Sequence, residues 1–439
     1  MKTTDNTGDK AGQLDPNFGV GGIVELRPLD EDRGFEIIDS AGLQDGGSVH
    51  VIQTHEKKEN YLASFDQDGK RTHLEHVILP DENQQNTNYF FRLKYNQLDR
   101  IACYVPDIRW PSEEHDPIVH TSAVGCFETN LKPQEGFGEN GIATIKPADL
   151  AKNSPDGRAP RKSEAPAAGH TETPEKHVYD VNSGEAQLIN GALWSVSSSY
   201  HEYEDPPFKS WISKFAQDTG KLLSVLPLQP LEGKPWEPVD VHFFEGGGFI
   251  MLAYREQQAY LTKFTDSGML DKTFNDSGYV EMPGLAYKNS CMHVHQERIL
   301  IASMDPLTHT KKNDHQSEPL LKLDAYLLSG ERDSTFTSRN DAVKNAVYIS
   351  SPHIAVDAKN RILVGLTGDM QLGTSPDPLV AMIYRFSWAG NADLTFNGDG
   401  RFVLSGVVAF KHMFLNGNEI RGVGNVFSSK EPIMFKVLD

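Results

Sequence analysis

Short apolar runs, broken at close intervals by Gly, Asn, Asp or Pro, fill most of this chain. SVHVIQ (48–53), RIACYV (100–105), ALWSVS (192–197), FIMLAY (249–254), RILIAS (298–303), RILVGL (361–366) and EIRGVG (419–424) are typical. They are rich in β-branched and aromatic residues and too short for helices, so they predict strands. Another run precedes each: FEIID (35–39), YFFRLK (89–94), HVYDV (177–181), VDVHFF (239–244), CMHVH (291–295), HIAVD (353–357) and KHMFL (411–415). Turn signals such as EGGG, DAKN and LNGN separate the pairs, as in antiparallel hairpins. No long amphipathic helix interrupts them.

A third run follows, anchored by an aromatic at Phe65, Phe127, Phe215, Phe264, Tyr326, Phe386 and Phe435. The intervals are 49 to 62 residues, with one of 88 between Phe127 and Phe215. Ten residues after four of these anchors comes a second aromatic: Phe137, Phe274, Phe336 and Phe396. Four residues later stand Gly141, Gly278 and Gly400, with Asn340 in the remaining repeat. Gly and Asn best tolerate positive φ, so a tight turn is predicted there. A fourth short run follows each glycine: IATI, YVEM, RFVL.

Each repeat therefore reads as four antiparallel strands, A to D, and seven of them predict an all-β, seven-bladed β-propeller. The chain stops inside strand C of the seventh repeat. The missing second half, LDPNFGVGGIVEL with Gly22, stands at residues 14–26. The N-terminal strand is thus expected to complete the C-terminal blade, since an open array would leave two unpaired edges. Residues 14–439 form the expected single propeller, 1–13 a flexible tail, and the Pro/Ala/Ser-rich 147–177 a disordered or draped insertion.

The motif LDxxFGxxGxV resembles the delta-sixty repeat, a bacterial β-rich repeat. Leu14–Val24, Leu270–Val280 and Leu394–Val403 carry it, with a partial copy at Gly136–Ile145. The resemblance implies a structural role for the motif residues, Gly22, Gly141, Gly278 and Gly400 among them, and no particular activity.

Strand order then assigns function to one end of the blades. The C–D turns are stereotyped, whereas the B–C connections are long and irregular: 105–120, 199–209, 304–319 and 369–379. Scaffolds place variable chemistry on such loops. The candidate binding residues are Trp110, His115, His120, Tyr200, His201, Tyr203, Phe208, His309 and His315, with Trp236 as a further loop aromatic. Aromatic rings beside polar groups suit a protein hot spot or stacking on a sugar. The primary reading is a non-enzymatic binding protein, a monomer, that recognises a protein or glycan on its B–C/D–A loop face. The alternatives are a metal-assisted hydrolase or lactonase, and a secreted effector or toxin accessory protein.

Composition narrows this further. Formal net charge is −19, and no basic patch of the size that nucleic acid requires is present. No apolar run reaches the length of a membrane span, and no apolar leader follows the N-terminus. The default compartment is cytoplasmic, with signal-independent export open. Cys103, Cys126 and Cys291 are odd in number and widely spaced, which predicts buried thiols.

Candidate chemistry is sparse. His242, His293, His295, His353 and His412 all fall in strands A. Aligning the strand-B cores puts His242 and His412 in one phase and His353 one residue out of it, which argues against a ring of ligands. No HExxH, short His/Cys cluster, GxSxG elbow, P-loop or dinucleotide fingerprint occurs. DQDG (66–69) and NGDG (397–400) lack the distal Glu of a calcium loop and read as turns. No catalytic residue, metal ligand or cofactor is therefore predicted. A divalent metal among the loop imidazoles and carboxylates is the exception kept open.

Overall fold

The computed structural model describes residues 11–27, 35–54, 59–77, 92–96, 100–110, 119–146, 149, 185–201, 208–255, 258–285, 289–305, 320–342, 346–349, 352–370, 379–404, 408–417, 419–426 and 432–439. Among the described residues the regular elements are β-strands, 29 of them. None is a helix long and apolar enough to cross a membrane.

The strands assemble as antiparallel sheets in chain order. The first blade is Phe35–Gly42, Ser48–Thr54, Asn60–Phe65 and Arg71–His76. The second is Arg92–Asn96, Arg100–Trp110, Val119–Glu128 and Ile142–Thr144; the third is Glu185–Ile189, Ala192–His201, Phe208–Ala216 and Leu222–Pro227. The fourth holds Glu237–Phe243, Phe249–Arg255, Gln258–Phe264 and Tyr279–Met282, and the fifth Ser290–His295, Arg298–Asp305, Leu320–Leu327 and Arg339–Ala342. In the sixth, strand A is split into Ala346–Ile349 and His353–Val356, ahead of Ile362–Met370, Leu379–Phe386 and Arg401–Leu404. The seventh is Val408–Asn416, Glu419–Val426 and Pro432–Val437, completed by Ile23–Glu25 from the other end of the chain. The fold is a seven-bladed β-propeller, four antiparallel strands to a blade.

The closing pair is in register. Ile23 stands opposite Phe435, Val24 opposite Met434 and Glu25 opposite Ile433. Backbone bonds extend the seam on both sides: Leu26 N–H to Pro432 O at 2.9 Å, Asp15 N–H to Lys436 O at 2.9 Å, and Leu438 N–H to Gln13 O at 2.8 Å. Lys436 Nζ lies 3.0 Å from Asp15 and 2.7 Å from Glu419.

One local arrangement recurs at each LDxxF motif. The amides of Asp15, Gln134, Asp271, Asp333 and Asp393 donate to the carbonyls of Lys436, Cys126, Lys263, Ala325 and Arg385. The carbonyls of Gly22, Gly141, Gly278 and Gly400 accept from the amides of Lys436, Cys126, Lys263 and Arg385. Gly278 has φ +91, and a Cβ there would meet Leu270 Cβ at 2.8 Å, so only glycine fits. The second aromatic is buried each time, at Phe18, Phe137, Phe274, Phe336 and Phe396. The motif carboxylates pair with cations: Asp15 with Lys436, Asp271 with Lys263 at 3.1 Å, Asp333 with Arg298 at 2.5 Å, Asp393 with Arg385 at 2.8 Å.

Three sequence assignments change. These backbone bonds align Val437, not Phe435, with the other anchors, because Leu14 bridges Val437 as Leu270 bridges Phe264. Strand A of the third blade is Glu185–Ile189; HVYDV (177–181) lies outside the described residues, as does the 147–177 insertion apart from Asp149. Asn340 sits in a strand and makes no positive-φ turn. The tail residues 1–10 also lie outside the described residues, while Gly12 N–H already donates to Leu438 O.

Residue contacts divide the chain into two compact units. One is Met1–Val77, Thr273–Asn275 and Val280–Asp439; the other is Ile78–Lys272 and Asp276–Tyr279. Within the first, apolar clusters lie between the fifth and sixth, sixth and seventh, and seventh and first blades. Within the second, they lie between the second and third and the third and fourth. Cores between successive sheets mean that each blade needs its neighbours to bury its faces.

Deleting residues 1–26 bares the edge strand Pro432–Val437. We expect lower solubility and a lower melting temperature, with a peptide of residues 11–26 added in trans restoring both. An unchanged melting curve for the truncated chain would refute the closure's importance.

Candidate functional site

The second compact unit carries the main departure from a plain propeller. The B–C connections of the second and third blades are not loops throughout. Strand B of the second blade continues to Trp110, and strand C resumes at Val119. A bulge between Val105 and Ile108 takes up Pro106, which has no amide to donate. In the third blade, strand B continues to His201 and strand C resumes at Phe208.

The two lengthened hairpins then pair with each other, Tyr200 opposite His120 and His201 opposite Val119. Two blades thereby share one eight-stranded sheet. Four residues fall into a single row across it: Arg109 opposite His120, His120 opposite Tyr200, and Tyr200 opposite Phe208. Trp110, Val119 and His201 form the next row. Since alternate positions along a strand face opposite ways, the two rows belong to opposite faces. The sequence had placed Trp110, His120, Tyr200, His201 and Phe208 on separate loops; the structure sets all five in strands at one joined tip. His115, Tyr203, His309 and His315 lie outside the described residues.

Trp236 lies in the connection just ahead of strand Glu237–Phe243, but it is a core residue and presents no binding surface. It is fully buried, its Nε1 donates to Gln229 O at 2.9 Å, and its ring packs edge-on against Tyr260 and Phe264.

The first compact unit gathers titratable groups on its strands A. His412 Nδ1 lies 3.2 Å from Asp39 Oδ1, and the rings of His412 and His353 are 5.2 Å apart, edge to face. Lys411 and Glu36 face each other along the same two strands at 3.8 Å. The phase read from sequence is thus overturned. His412 stands opposite Val423 and His353 opposite Gly365, equivalent positions of their strands B. The A–B turns set the offset: Asn416 pairs with Glu419 across two residues in the seventh blade, whereas Val356 pairs with Ile362 across five in the sixth, so equal distances from strand B in sequence are not equal registers. Bulges interrupt strands A farther from the turn, between Phe410 and His412, between Ile37 and Asp39 in the first blade and between Pro238 and Asp240 in the fourth.

Behind this group His50 is wholly buried. Its Nδ1 lies 2.7 Å from Ser40 Oγ and its Nε2 2.8 Å from Ser48 Oγ. Burial, and then the charge of His412 against the opposing pull of Asp39, hold its imidazole down to about 3. It is a neutral bridge between two hydroxyls.

Among the described residues no group of three or more His, Cys, Asp or Glu side chains is disposed to hold a metal ion. The calcium-like turns use their oxygens internally. Asp66 Oδ1 accepts from the amides of Asp68 and Lys70, and Asp399 engages Arg401. Burial pushes the thiol of Cys103 up, and that of Cys126 up to about 11, so both stay protonated and poorly nucleophilic.

No family model matches this chain, and no curated protein sequence does. Solved structures do resemble it. The lectin BP39L from Burkholderia pseudomallei aligns over 92% of this chain and 96% of its own, at 8% identity and a TM-score of 0.49. The β-propeller domain of the Trilobed protease from Pyrococcus furiosus aligns over 92% and 96%, at 8% identity and a TM-score of 0.39. A protein of unknown function from Dyadobacter fermentans aligns over 83% and 99%, at 11% identity and a TM-score of 0.44.

The His50 environment predicts acid lability. An imidazole depressed from 6.5 to about 3 is neutral in the fold but protonated in the unfolded chain between those values. The unfolded state then binds more protons, so stability falls as pH drops through that window. The depressed carboxyls of Asp15, Asp333, Asp393, Glu419 and Asp439 act lower, because their ordinary values are 3.8 to 4.5. Between the carboxylate and imidazole ranges, His50 contributes a loss of about 2–3 kcal/mol. Denaturant unfolding across that window should show a smaller slope for His50→Gln than for the native chain. Equal slopes would refute the assignment.

Proposed function

We propose that this protein is a non-catalytic binding protein that recognises a protein or glycan with the joined hairpin tips of its second and third blades. The observation that carries this reading is the cross-strand row Arg109–His120–Tyr200–Phe208. Two hairpins that merely extended would wave independently. Hydrogen-bonded to each other, they fix four chemically useful residues at set spacings, and such preorganisation lowers the entropy that a ligand must overcome. Aromatic and arginine residues are the types that dominate binding energy when they anchor an interface.

The rest of the chain fits a scaffold role. Its LDxxF motifs are used in turns, in buried aromatics and in ion pairs, in keeping with the resemblance to delta-sixty repeats. His412 is engaged with Asp39 and His353, and His50 with two serine hydroxyls. We read the protein as a monomer acting through the tip.

The test is a glycan array and a cross-linking capture with intact protein. Tyr200→Ala is expected to weaken the ligand so found by roughly 10- to 100-fold, the effect of a hot-spot residue, with the melting temperature within a few degrees of native. A variant with residues 106–119 replaced by a two-residue turn should lose binding. Full binding by both variants would move the site elsewhere.

A further inference from the structure

Two serine hydroxyls are sealed between the second and third blades with no protein group to bond. We propose that a buried water molecule bridges Ser195 and Ser213 and is a structural component of that interface.

A row of four residues runs across the third blade: Ala186 opposite Ser195, Ser195 opposite Ser213, and Ser213 opposite Val225. Ala186 and Val225 belong to the apolar cluster that also holds Tyr104, Val124 and Ala143 of the second blade. The row therefore faces the second blade, and both serines are fully buried there. Their Oγ atoms hydrogen-bond to no protein atom. On the facing sheet Ser122 Oγ is also buried and unpartnered, on the strand face it shares with Val124 and Cys126 of the same cluster.

Equivalent positions elsewhere in the fold satisfy their polar groups. Ser213 stands two residues before the anchor Phe215, as Thr262 does before Phe264 and Ala63 before Phe65. Thr262 Oγ1 donates to the carbonyl of Met251, its cross-strand partner, at 3.0 Å. Opposite Ala63, His50 takes the position of Ser195 and is met on both ring nitrogens by serine hydroxyls. The third blade has neither solution. A dry hydroxyl buried without a partner is destabilising, since it loses its bonds to solvent and gains none.

Size and access select the ligand. Ser195 stands where the fourth blade has Met251 and the sixth Val364, and its neighbour Ala186 is small as well, so side chains fill less of the gap between the sheets. Directly opposed residues hold their Cβ atoms about 5 Å apart, a span that one water can bridge with bonds of about 2.8 Å. Neither serine has exposed surface, so the ligand is trapped on folding. It must be small, uncharged and able both to donate and to accept, which is water.

The test is a crystal structure of the intact protein fine enough to place ordered water, with denaturant unfolding of Ser195→Ala and Ser213→Ala. We expect one water within hydrogen-bond distance of both Oγ atoms. Each variant should raise the unfolding equilibrium constant roughly 2- to 10-fold, the effect of losing one hydrogen bond. The double variant should lose less than the two single losses combined, because both serines share the water. A dry pair gives the opposite sign: either alanine variant would then be more stable than the native chain. That result, strictly additive losses, no density between the serines, or a direct Oγ–Oγ bond in its place would overturn the proposal.

Discussion

Three pairs of residues, Ile23 with Phe435, Val24 with Met434 and Glu25 with Ile433, make the seventh blade a complete four-stranded sheet. The seventh blade has only three strands from its own stretch of chain. Its outer edge is satisfied by a segment more than four hundred positions away in sequence. The contact is not left to backbone bonds alone: Lys436 holds both Asp15 and Glu419, while Leu14, Ile23 and Ala11 pack against the cluster around Phe402 and Phe435. The carboxylate of Asp439, pushed up by burial, is held below its ordinary range by Lys359 and Arg361 and also meets Arg385. Hydrogen bonding, apolar packing and ion pairing therefore converge on one seam.

The same economy runs through the repeats. The Asp271, Asp333 and Asp393 turns each place a carboxylate beside a cation, bury an aromatic and send a backbone amide to another turn: Asn275 to Ser329, Thr337 to Ala389, Asn397 to Ala11. The Gln134 turn keeps the aromatic and the amide bond, Gly138 to Thr219, and the Asp15 turn the ion pair and the aromatic. The motif thus terminates one blade and docks it on the next. In the first and third repeats, which lack the second aromatic, the turn is shorter. Gln229 then takes over part of the task, its amide donating to Gly268 and its side chain accepting from Leu270.

Much of this was legible beforehand because it rests on local rules. Strands B are continuous apolar runs, and the motif glycines mark positive φ. The half motif at residues 14–26 told of its own partner. What escaped depends on register and on contacts far apart in sequence. The exact length of an A–B turn has no clear composition signal, so the two-residue turn of the seventh blade and the five-residue turn of the sixth hid the proximity of His412 to His353. Phe435 looked like an anchor because it is aromatic, whereas hydrogen bonding selects Val437. Trp236 stood among prolines and acids, and only its packing against Tyr260 and Phe264 shows it to be core. The joining of two hairpins was least legible, because Pro106, Asp107 and the charged residues beyond break the apolar pattern although the backbone continues as strand.

That joining has a bearing on how such a chain can diversify. In an ordinary propeller each connection drifts alone, since its length answers to no other. Here Tyr200 and His120 are bound into one ladder, so a deletion in either hairpin strips hydrogen bonds from its neighbour. Variation in the two stretches must arrive together or be compensated. A transplant of one hairpin into another propeller would carry half an interface, whereas the second and third blades moved as a pair would carry it whole.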